Sequence, residues 1–443
     1  MKPRTGSYYL LGAAMTAVFL LGPVAALASE AQPLTLEKCL DAALSGNRGI
    51  EALRHRVDVS AAKVDETLAK MGPKLFAVGK YLAAGEQQRL WPARYDGEKG
   101  VYDDAFTEAS VVLEIPLWDG GKTRHRTMAD RKLLEAARGS LERQEQKLRY
   151  DVERLFFMAL SVKESIGALE ASLGSLLQHG EDVQAMVDSG KAARVDSLRM
   201  DAEVALTRER LLGARHELES LKEDLLFIIG IDGKGEDFDL EGPFPETPDI
   251  DDLSVEDRAS KALEKRPDYK AALDKAAAGK EGVLATLASK NPEFFLRGLH
   301  GYRSASNGVG ESRTDVELAV EIPLLDGGLS SARRRQSASE AAAAEAEARE
   351  MASRVYFEVS EAVRAYEFAR ERIIVTEAAV RAAEEALRIE KLRFRSGKGT
   401  TTDVLSSQAA WLSARAGRDA ALSEGAIAAA RLTFAMGGGS GEY

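Results

Sequence analysis

The sequence is poor in cysteine. Cys39 is the only one among 443 residues, so no intrachain disulfide can form. Metal sites built from several cysteines are excluded for the same reason. Cys39 keeps helical spacing with Leu36, Leu40 and Ala43, and we interpret it as a small apolar residue of a helix rather than as a lipid-attachment site.

Long apolar runs are missing after the N-terminus. A transmembrane helix needs about 20 apolar residues, and no later segment approaches this. The N-terminus itself has two basic residues, an apolar stretch from Tyr8 to Leu21 and a possible cleavage site at Ala26-Leu27-Ala28. This pattern is typical of a secretory signal peptide over residues 1–28, so we expect an exported protein that begins near Ser29.

Proline is absent from two long stretches. None occurs between Leu117 and Gly242, and none follows Leu324. Both stretches are rich in Ala, Leu, Glu, Arg and Lys, which favour the helix. From Gly121 to about Asp188 nothing breaks a helix, and this length predicts a rod of about 100 Å. Such a rod is typical of coiled-coil packing.

Basic side chains are outnumbered. The chain has 60 Lys and Arg against 71 Asp and Glu, which gives a net charge of −11. A nucleic acid partner requires a basic face that neutralises phosphates. Nucleic acid is therefore not an expected partner.

Catalytic and cofactor motifs are also missing. Gly120-Gly121-Lys122-Thr123 resembles the end of a phosphate-binding loop, but Pro116 stands where that motif requires glycine. We interpret the segment as a strand-to-helix turn. The five histidines lack the spacing of metal ligands, and no nucleophile–base pattern occurs. We expect no enzyme activity, no metal and no cofactor.

What the sequence does contain is an internal repeat. The segment Glu114–Gly121 returns as Glu321–Gly328 at an offset of 207 residues, and the same offset relates Ser189-Gly190-Lys191 to Ser396-Gly397-Lys398. A repeat that keeps its spacing over such a distance indicates two copies of one structural unit. The predicted strand-to-helix turns of the two copies are Pro116, Asp119, Gly120 and Gly121, and Pro323, Asp326, Gly327 and Gly328.

Both units have the same predicted order of elements. A short helix, Leu36–Met71 or Val255–Lys290, precedes two strands, and a long helical hairpin with a glycine-containing tip follows. In the strands, as in Thr107–Leu117, apolar and polar side chains alternate. The predicted division is signal peptide 1–28, first repeat 29–230 with a β-hairpin at about 73–117, linker 231–252, second repeat 253–437 with a β-hairpin at about 292–324, and tail 438–443.

Four strands per chain cannot close a barrel. Each predicted strand approaches the length that crosses a bilayer, and an open sheet edge in lipid leaves backbone groups unpaired. Barrels have even numbers of strands from about eight upwards, so three chains with about twelve strands would meet the requirement. The alternative is a protein without membrane strands, in which two amphipathic hairpins lie on a helical bundle.

Three features combine along the mature chain: the opening Leu34-Thr35-Leu36-Glu37, the duplicated Pro-Leu-x-Asp-Gly-Gly turns, and the two Ser-Gly-Lys…Asp-x-Leu tips. Together they resemble the TolC family of outer-membrane efflux and export channels. The resemblance implies a mainly α fold with a β-barrel portion. In such a fold, duplicated long α-helical hairpins form a trimeric α-barrel tunnel, and the four strands of each chain contribute to a twelve-stranded barrel.

The resemblance also implies a function. The protein would be a passive conduit in the outer membrane, with its tunnel in the periplasm, for a tripartite efflux or type I secretion system. Its implied partners are two further copies of the chain, outer-membrane lipid, a periplasmic adaptor and an inner-membrane pump. The rival hypothesis is a periplasmic coiled-coil adaptor or scaffold without a pore, although such proteins lack four bilayer-length strands and a whole-chain duplication.

In the family the hairpin tips form the gate and the adaptor-docking surface. By resemblance, the gate residues are Asp196, Asp403 and Ser406. Ser406 stands where members often carry a second aspartate, and Gly399 where some carry arginine, so we expect a weaker carboxylate ring. Asp196 and Asp403 also fit a role as helix caps, and the two roles can coexist. The implied adaptor-docking positions are Gly190, Lys191, Ala192, Arg194, Val195, Gly397, Lys398, Gly399, Thr400 and Thr401.

Overall fold

The computed structural model describes residues 34–92, 100–231, 238–247 and 253–438. The predicted signal peptide lies outside the described residues. So do parts of the loop between the first two strands, parts of the predicted linker, and all but the first residue of the predicted tail.

Helices make up most of the described chain. In chain order they are α1 (Leu36–Gly46), α2 (Arg48–Ala69), α3 (Lys122–Asp188), α4 (Arg194–Ile229), α5 (Val255–Lys265), α6 (Pro267–Ala288), α7 (Leu329–Arg395) and α8 (Thr401–Ala435). The helices α3 and α7 have 67 residues each, so the predicted long rods are confirmed. No helix within the described ranges combines the length and the apolar character that crossing a membrane requires.

The short helices are broken, which the sequence prediction missed. We expected single helices over Leu36–Met71 and Val255–Lys290, but Asn47 and Arg266 interrupt them with extended backbone. Asn47 caps α2 with its side chain. Pro267 is the first residue of α6, where its missing N–H costs nothing, and it disfavours a helical conformation at Arg266.

Each break receives the end of a returning helix. The Asn47 side-chain amide donates to the Ile228 carbonyl near the end of α4, at 2.9 Å. The Arg266 guanidinium donates to the Ala435 carbonyl at the end of α8, at 3.4 Å. Asn47 and Arg266 are equivalent positions of the two repeats, as are Ile228 and Ala435. Different side chains therefore make the equivalent contact in the two repeats.

A glycine follows each of these helix ends. Gly230 and Gly437 both have a φ of +77°, which favours glycine. A Cβ on Gly230 would lie 2.2 Å from the Gly46 carbonyl oxygen. The close approach of the helix end to the break therefore requires glycine at Gly230.

The second break carries a buried ionic cluster. Arg266 is 1% exposed, and its guanidinium lies 2.6 Å from Asp268 and 2.5 Å from Glu358 of α7. Arg143 of α3 joins the cluster at 3.3 Å from Asp268. Burial lowers the pKa of Arg143 to about 10, so this side chain is still charged at neutral pH. The cluster ties α3, α6, α7 and the end of α8 together.

The helix α3 is central to the described chain. It packs against α1, α2, α4 and α8, and α6 lies between α3 and α7. One core cluster includes Val152 and Phe156 of α3 together with residues of α1 and α4. Another is built around Val355 and Val359 of α7 and includes residues of α5 and α8. The α3–α4 hairpin and the α7–α8 hairpin therefore pack against each other through α3 and α8, with α6 between α3 and α7.

The four predicted strands are confirmed, and they form one antiparallel sheet in chain order. The strands are β1 (Lys74–Trp91), β2 (Val101–Trp118), β3 (Glu293–Ala305) and β4 (Gly310–Glu321). The strands β1 and β2 have 18 residues each, well beyond the expected length of about 9–11. The strand β4 ends at Glu321 rather than near Leu324, and Pro323, which lacks an N–H for the ladder, lies just beyond it.

Replacing Arg266 with methionine should lower the free energy of unfolding by about 3–5 kcal/mol, because Asp268 and Glu358 lose the cation that compensates their burial. The matched change Asn47→Ala, at the equivalent break, removes a neutral cap and should cost about 1 kcal/mol. Thermal unfolding followed by circular dichroism in detergent measures both. Equal shifts in melting temperature would contradict a special stabilising role for the ionic cluster.

Candidate functional site at the hairpin tips and the polar face of the sheet

Both long helices end in the same glycine turn. In the first tip, the Lys191 N–H donates to the Met186 carbonyl (2.8 Å), and the Gly190 N–H donates to the Val187 carbonyl (3.0 Å). Gly190 has a φ of +73°, and Gly397 repeats this geometry in the second tip with a φ of +71°. This pair of hydrogen bonds is a Schellman motif, which satisfies helix carbonyls and reverses the chain.

The tips differ where the second helix of each hairpin begins. The Thr400 hydroxyl accepts a hydrogen bond from the Asp403 N–H (3.2 Å), and the Asp403 carboxylate accepts one from the Thr400 N–H (3.0 Å). This capping box starts α8, whereas Ala193 at the start of α4 has no side-chain acceptor. Hydrogen bonds from the Thr400 hydroxyl and N–H hold the pKa of Asp403 below its ordinary value. Asp403 is therefore a helix cap in this structure, and its role in a gate stays a prediction.

Asp196, the counterpart of Asp403, has a different partner. Its carboxylate lies 3.6 Å from the Arg199 guanidinium in the same helix. Arg199 also donates to the Thr402 hydroxyl of the other tip, at 3.1 Å. Ser406 occupies the position equivalent to Arg199, and its hydroxyl donates to the Asp403 carbonyl (3.0 Å). The structure thus brings Asp196, Arg199 and Thr402 together in a polar link between the two hairpins.

An apolar cluster beneath the tips joins all four long helices. Val183 of α3, Met200 of α4, Phe394 of α7 and Val404 of α8 are buried in it. His179 packs edge-on against Phe394, with 4.5 Å between the ring centroids. Burial lowers the pKa of His179, which favours the neutral form of its ring. A movement of one tip relative to the other requires this cluster to repack.

The predicted docking positions differ in exposure. Thr401 is buried, whereas Ala192 and Gly399 are half-buried. A Cβ on Gly399 would lie 3.1 Å from the Arg393 Cβ, so a larger residue there would displace the turn slightly. The exposed positions are Gly190, Lys191, Arg194, Val195, Gly397, Lys398 and Thr400.

The strand-to-helix turns have the geometry that the sequence predicts. Asp119 accepts hydrogen bonds from the N–H groups of Gly121 (3.2 Å) and Thr123 (2.7 Å) at the start of α3. Asp326 does the same at the start of α7, with distances of 3.0 and 2.8 Å. The glycines that reverse the chain with positive φ are Gly120, Gly121, Gly327 and Gly328.

Charged side chains of alternating sign cross one face of the sheet in two rows. The register aligns Lys74, Glu114, Arg297 and Glu317 in the first row, and Lys80, Glu108, Arg303 and Glu311 in the second. In the first row Arg297 lies 3.2 Å from Glu114, and in the second Arg303 lies 2.8 Å from Glu108. The Phe106 ring, buried beside the second row, stacks against Arg303 at 4.7 Å. The two charged rows lie on one face of the sheet, and Val112 and Leu299 lie between them on that face.

The opposite face of the sheet is apolar. Its exposed residues include Leu75, Val111, Leu113, Val316, Leu318 and Val320. A contiguous exposed apolar surface of this kind marks an interaction with lipid or with another protein. Alternation of an apolar and a polar face along each strand is the pattern of membrane barrels.

Comparison with known proteins identifies the family. The model of the outer membrane efflux protein family matches residues 39–230 and 259–438, which cover most of both repeats. The chain belongs to this family. The resemblance to TolC-type channels seen in the sequence is confirmed.

Individual members of the family are distant in sequence. Outer membrane efflux protein BepC of Brucella suis is 23% identical over 315 residues, which cover 67% of this chain and 65% of BepC. Alkaline protease secretion protein AprF of Pseudomonas aeruginosa is 24% identical over 188 residues, 42% of this chain and 36% of AprF. The alignments thus span less than two thirds of either relative. The outer membrane protein VceC of Vibrio cholerae has the same fold, with a TM-score of 0.75 at 18% identity over 91% of this chain and 96% of VceC.

The sequence analysis missed the link between Arg199 and Thr402. The available signal was the difference between the repeats, because the offset that relates the tips places Arg199 opposite Ser406 and Ala193 opposite Thr400. Each of these differences changes which hydrogen bonds the tip can make. Tip positions that differ between the two repeats therefore indicate where the two tips make different contacts.

Thr400→Ala should speed amide hydrogen exchange in the first turn of α8 about two- to thirtyfold, because the capping box is lost. The control Thr402→Ala leaves the cap in place and should not change this exchange. At neutral pH the capping by ionised Asp403 is complete, and it is lost only as the pH falls through the lowered pKa of Asp403. The difference between wild type and Thr400→Ala should therefore shrink in acid. Exchange that is identical at neutral pH would show that the cap contributes nothing.

Proposed function

We propose that three copies of this chain form a passive channel of a tripartite efflux or type I secretion system. The strands span the outer membrane, and the helices continue as a tunnel into the periplasm. The channel does no chemistry, because an inner-membrane pump supplies the energy and a periplasmic adaptor connects the pump to the tips. Membership of the outer membrane efflux protein family supports this proposal.

The observation that carries the proposal is the four-stranded sheet with one apolar and one polar face. Its outer strands are β1 and β4. Lipid offers no hydrogen-bonding partner to the outward N–H and C=O groups of these strands, so a membrane-spanning sheet must close. Three copies supply about twelve strands, which is within the range of known even-numbered barrels.

The polar face lines the inside of this barrel. Because its charges alternate in sign within each row, opposite charges neutralise each other across the wall. A solute that passes meets both donors and acceptors without a large net potential. The arrangement suits a conduit that does not select solutes by charge.

The tips close the periplasmic entrance in this proposal. Asp196, Asp403 and Ser406 lie at the hairpin ends, where three copies would surround the channel axis. The Arg199–Thr402 hydrogen bond connects the two hairpins of one chain. Opening moves one hairpin relative to the other and breaks this bond. The adaptor docks on the exposed tip residues, which include Lys191 and Lys398.

Arg199→Ala should raise the open probability of the purified trimer in planar bilayers at least about fivefold, because each chain of the closed state loses a hydrogen bond of about 1 kcal/mol. Arg210→Ala is the matched control, since Arg210 lies in the same helix and pairs within that helix with Glu203 (3.6 Å). Equal effects of the two changes would refute the role of Arg199. A purified protein that is monomeric and makes no pore would refute the channel and favour the adaptor or scaffold.

Asp403→Ala separates the gate from the cap. If three Asp403 carboxylates line the closed entrance, removing them should raise single-channel conductance beyond the value for Thr400→Ala, which removes the cap partner alone. Planar-bilayer recordings of the two variants under the same salt conditions make the comparison. If their conductances coincide, Asp403 acts only as a cap.

A further inference from the structure

A cleft beneath the tips lies between α3 of the first hairpin and α7 and α8 of the second. Its larger part is a cavity of about 350 Å³, and the residues that line it include Ser175, Lys391 and Trp411. A smaller cavity of about 40 Å³ shares Ser175 and Lys391 with it and extends towards His179 and Arg395. A cavity of the larger size is typical of sites for small molecules.

Lys391 lines both cavities and carries a charge without a counter-charge. Its ammonium group donates to the Ser175 hydroxyl at 2.7 Å. Among the described residues, no carboxylate pairs with Lys391 or with Arg395, four residues further along α7. Burial and the nearby Arg395 lower the pKa of Lys391. Because a partly buried cation without a partner is costly, an anion that reaches Lys391 is stabilised there.

His179 adds an unused polar group beside Lys391. The residue is 8% exposed, and its Nε2 has no hydrogen-bond partner in the part of the chain that the structure describes. Nearly all buried polar groups have such a partner. In the tautomer with the proton on Nε2, His179 can donate to an anion in the small cavity. Asp182 lines this cavity as well, so its single carboxylate faces the two cations Lys391 and Arg395.

The large cavity provides a surface for an apolar ring. Trp411 of α8 and Leu387 of α7 line it. Aromatic rings pack favourably against tryptophan. The carboxylate in this lining belongs to Glu384, which lies seven residues before Lys391 and therefore about 10 Å away along α7. An anionic group beside Lys391 thus lies far from Glu384.

We propose that this cleft binds a small organic anion that carries an aromatic ring. The anionic group lies between Lys391 and His179, and the ring lies against Trp411. All these residues come from one chain, so binding does not depend on the assembly proposed above. Because α3 belongs to one hairpin and α7 and α8 to the other, an occupied cleft favours the arrangement of the two hairpins seen in this structure.

The repeat shows that the fold does not require this chemistry. At the offset of 207 residues, Gln184 stands at the position equivalent to Lys391. Val204 stands at the position equivalent to Trp411. The helices α3 and α7 nevertheless have the same length of 67 residues. A long hairpin therefore forms without the lysine and the tryptophan, which favours a role for both in binding.

Quenching of Trp411 fluorescence tests the binding. The chain has three tryptophans, so Trp91→Phe with Trp118→Phe leaves Trp411 alone. In the purified full-length protein, 4-nitrobenzoate, whose ring quenches tryptophan, should quench Trp411 in a saturable manner. The neutral 4-nitrobenzamide has nearly the same size and should bind at least about tenfold more weakly, because it lacks the charge. Equal dissociation constants for the two probes would overturn the anion site.

Lys391→Met in the same background removes the charge and keeps the length of the side chain. It should weaken the binding of 4-nitrobenzoate at least about tenfold and leave that of 4-nitrobenzamide unchanged. Arg364→Met is the matched control, because Arg364 is an exposed cation of α7 that lies about 40 Å along the helix from Lys391. Unchanged binding of 4-nitrobenzoate in Lys391→Met, or an equal loss in Arg364→Met, would overturn the proposal.

His179→Phe examines where the anionic group lies. This change keeps a ring against Phe394 but removes Nε2, so 4-nitrobenzoate should bind about fivefold more weakly. The same titration of Trp411 fluorescence measures the effect. A dissociation constant equal to that of the parent protein would overturn the placement of the anionic group beside His179.

Discussion

Backbone N–H and C=O groups at the edge of a sheet cannot stay unpaired in lipid, because hydrocarbon offers them no hydrogen-bonding partner. In this chain the constraint falls on β1 and β4, the outer strands of a sheet with one apolar face. The exposure of apolar side chains in a single chain follows from this constraint. Leu324 and Leu325, at the end of the second hairpin, are 92% and 94% exposed. The sheet gains a closed wall only in an assembly of copies.

Because the chain is duplicated, equivalent contacts recur several times in such an assembly. The two repeats do not use the same chemistry at each contact. A neutral Asn47 closes the first helix break, whereas a buried Arg266 with its carboxylates closes the second. The two helix breaks share one backbone geometry, in which the end of a later helix returns to an interrupted helix. The backbone therefore preserves the symmetry that the side chains have lost.

The two hairpin tips also differ in their side-chain contacts, and this difference bears on the proposed gate. Both turns reverse the chain with the same Schellman motif, so the difference is confined to the start of α4 and α8. In one tip, Asp403 forms part of the cap of α8. In the other tip, Asp196 pairs with Arg199, which also donates a hydrogen bond to Thr402 of the neighbouring tip. A link between hairpins that depends on a single exposed side chain is easily broken, as the proposed movement of one hairpin relative to the other requires.

Several features could be predicted from the sequence alone: the duplication, the two long helical hairpins, the four alternating strands and the aspartate-glycine turns. These follow from local physics: proline-free helix formers, a period of two, and glycine at positive φ. Other features become apparent only in the folded chain: the return of α4 and α8 to the breaks at Asn47 and Arg266, the alignment of charges into rows across the sheet, and the link from Arg199 to Thr402. Each of these joins residues far apart in the chain. Their pairing depends on how the elements pack and on the register of the strands, which local sequence patterns do not encode.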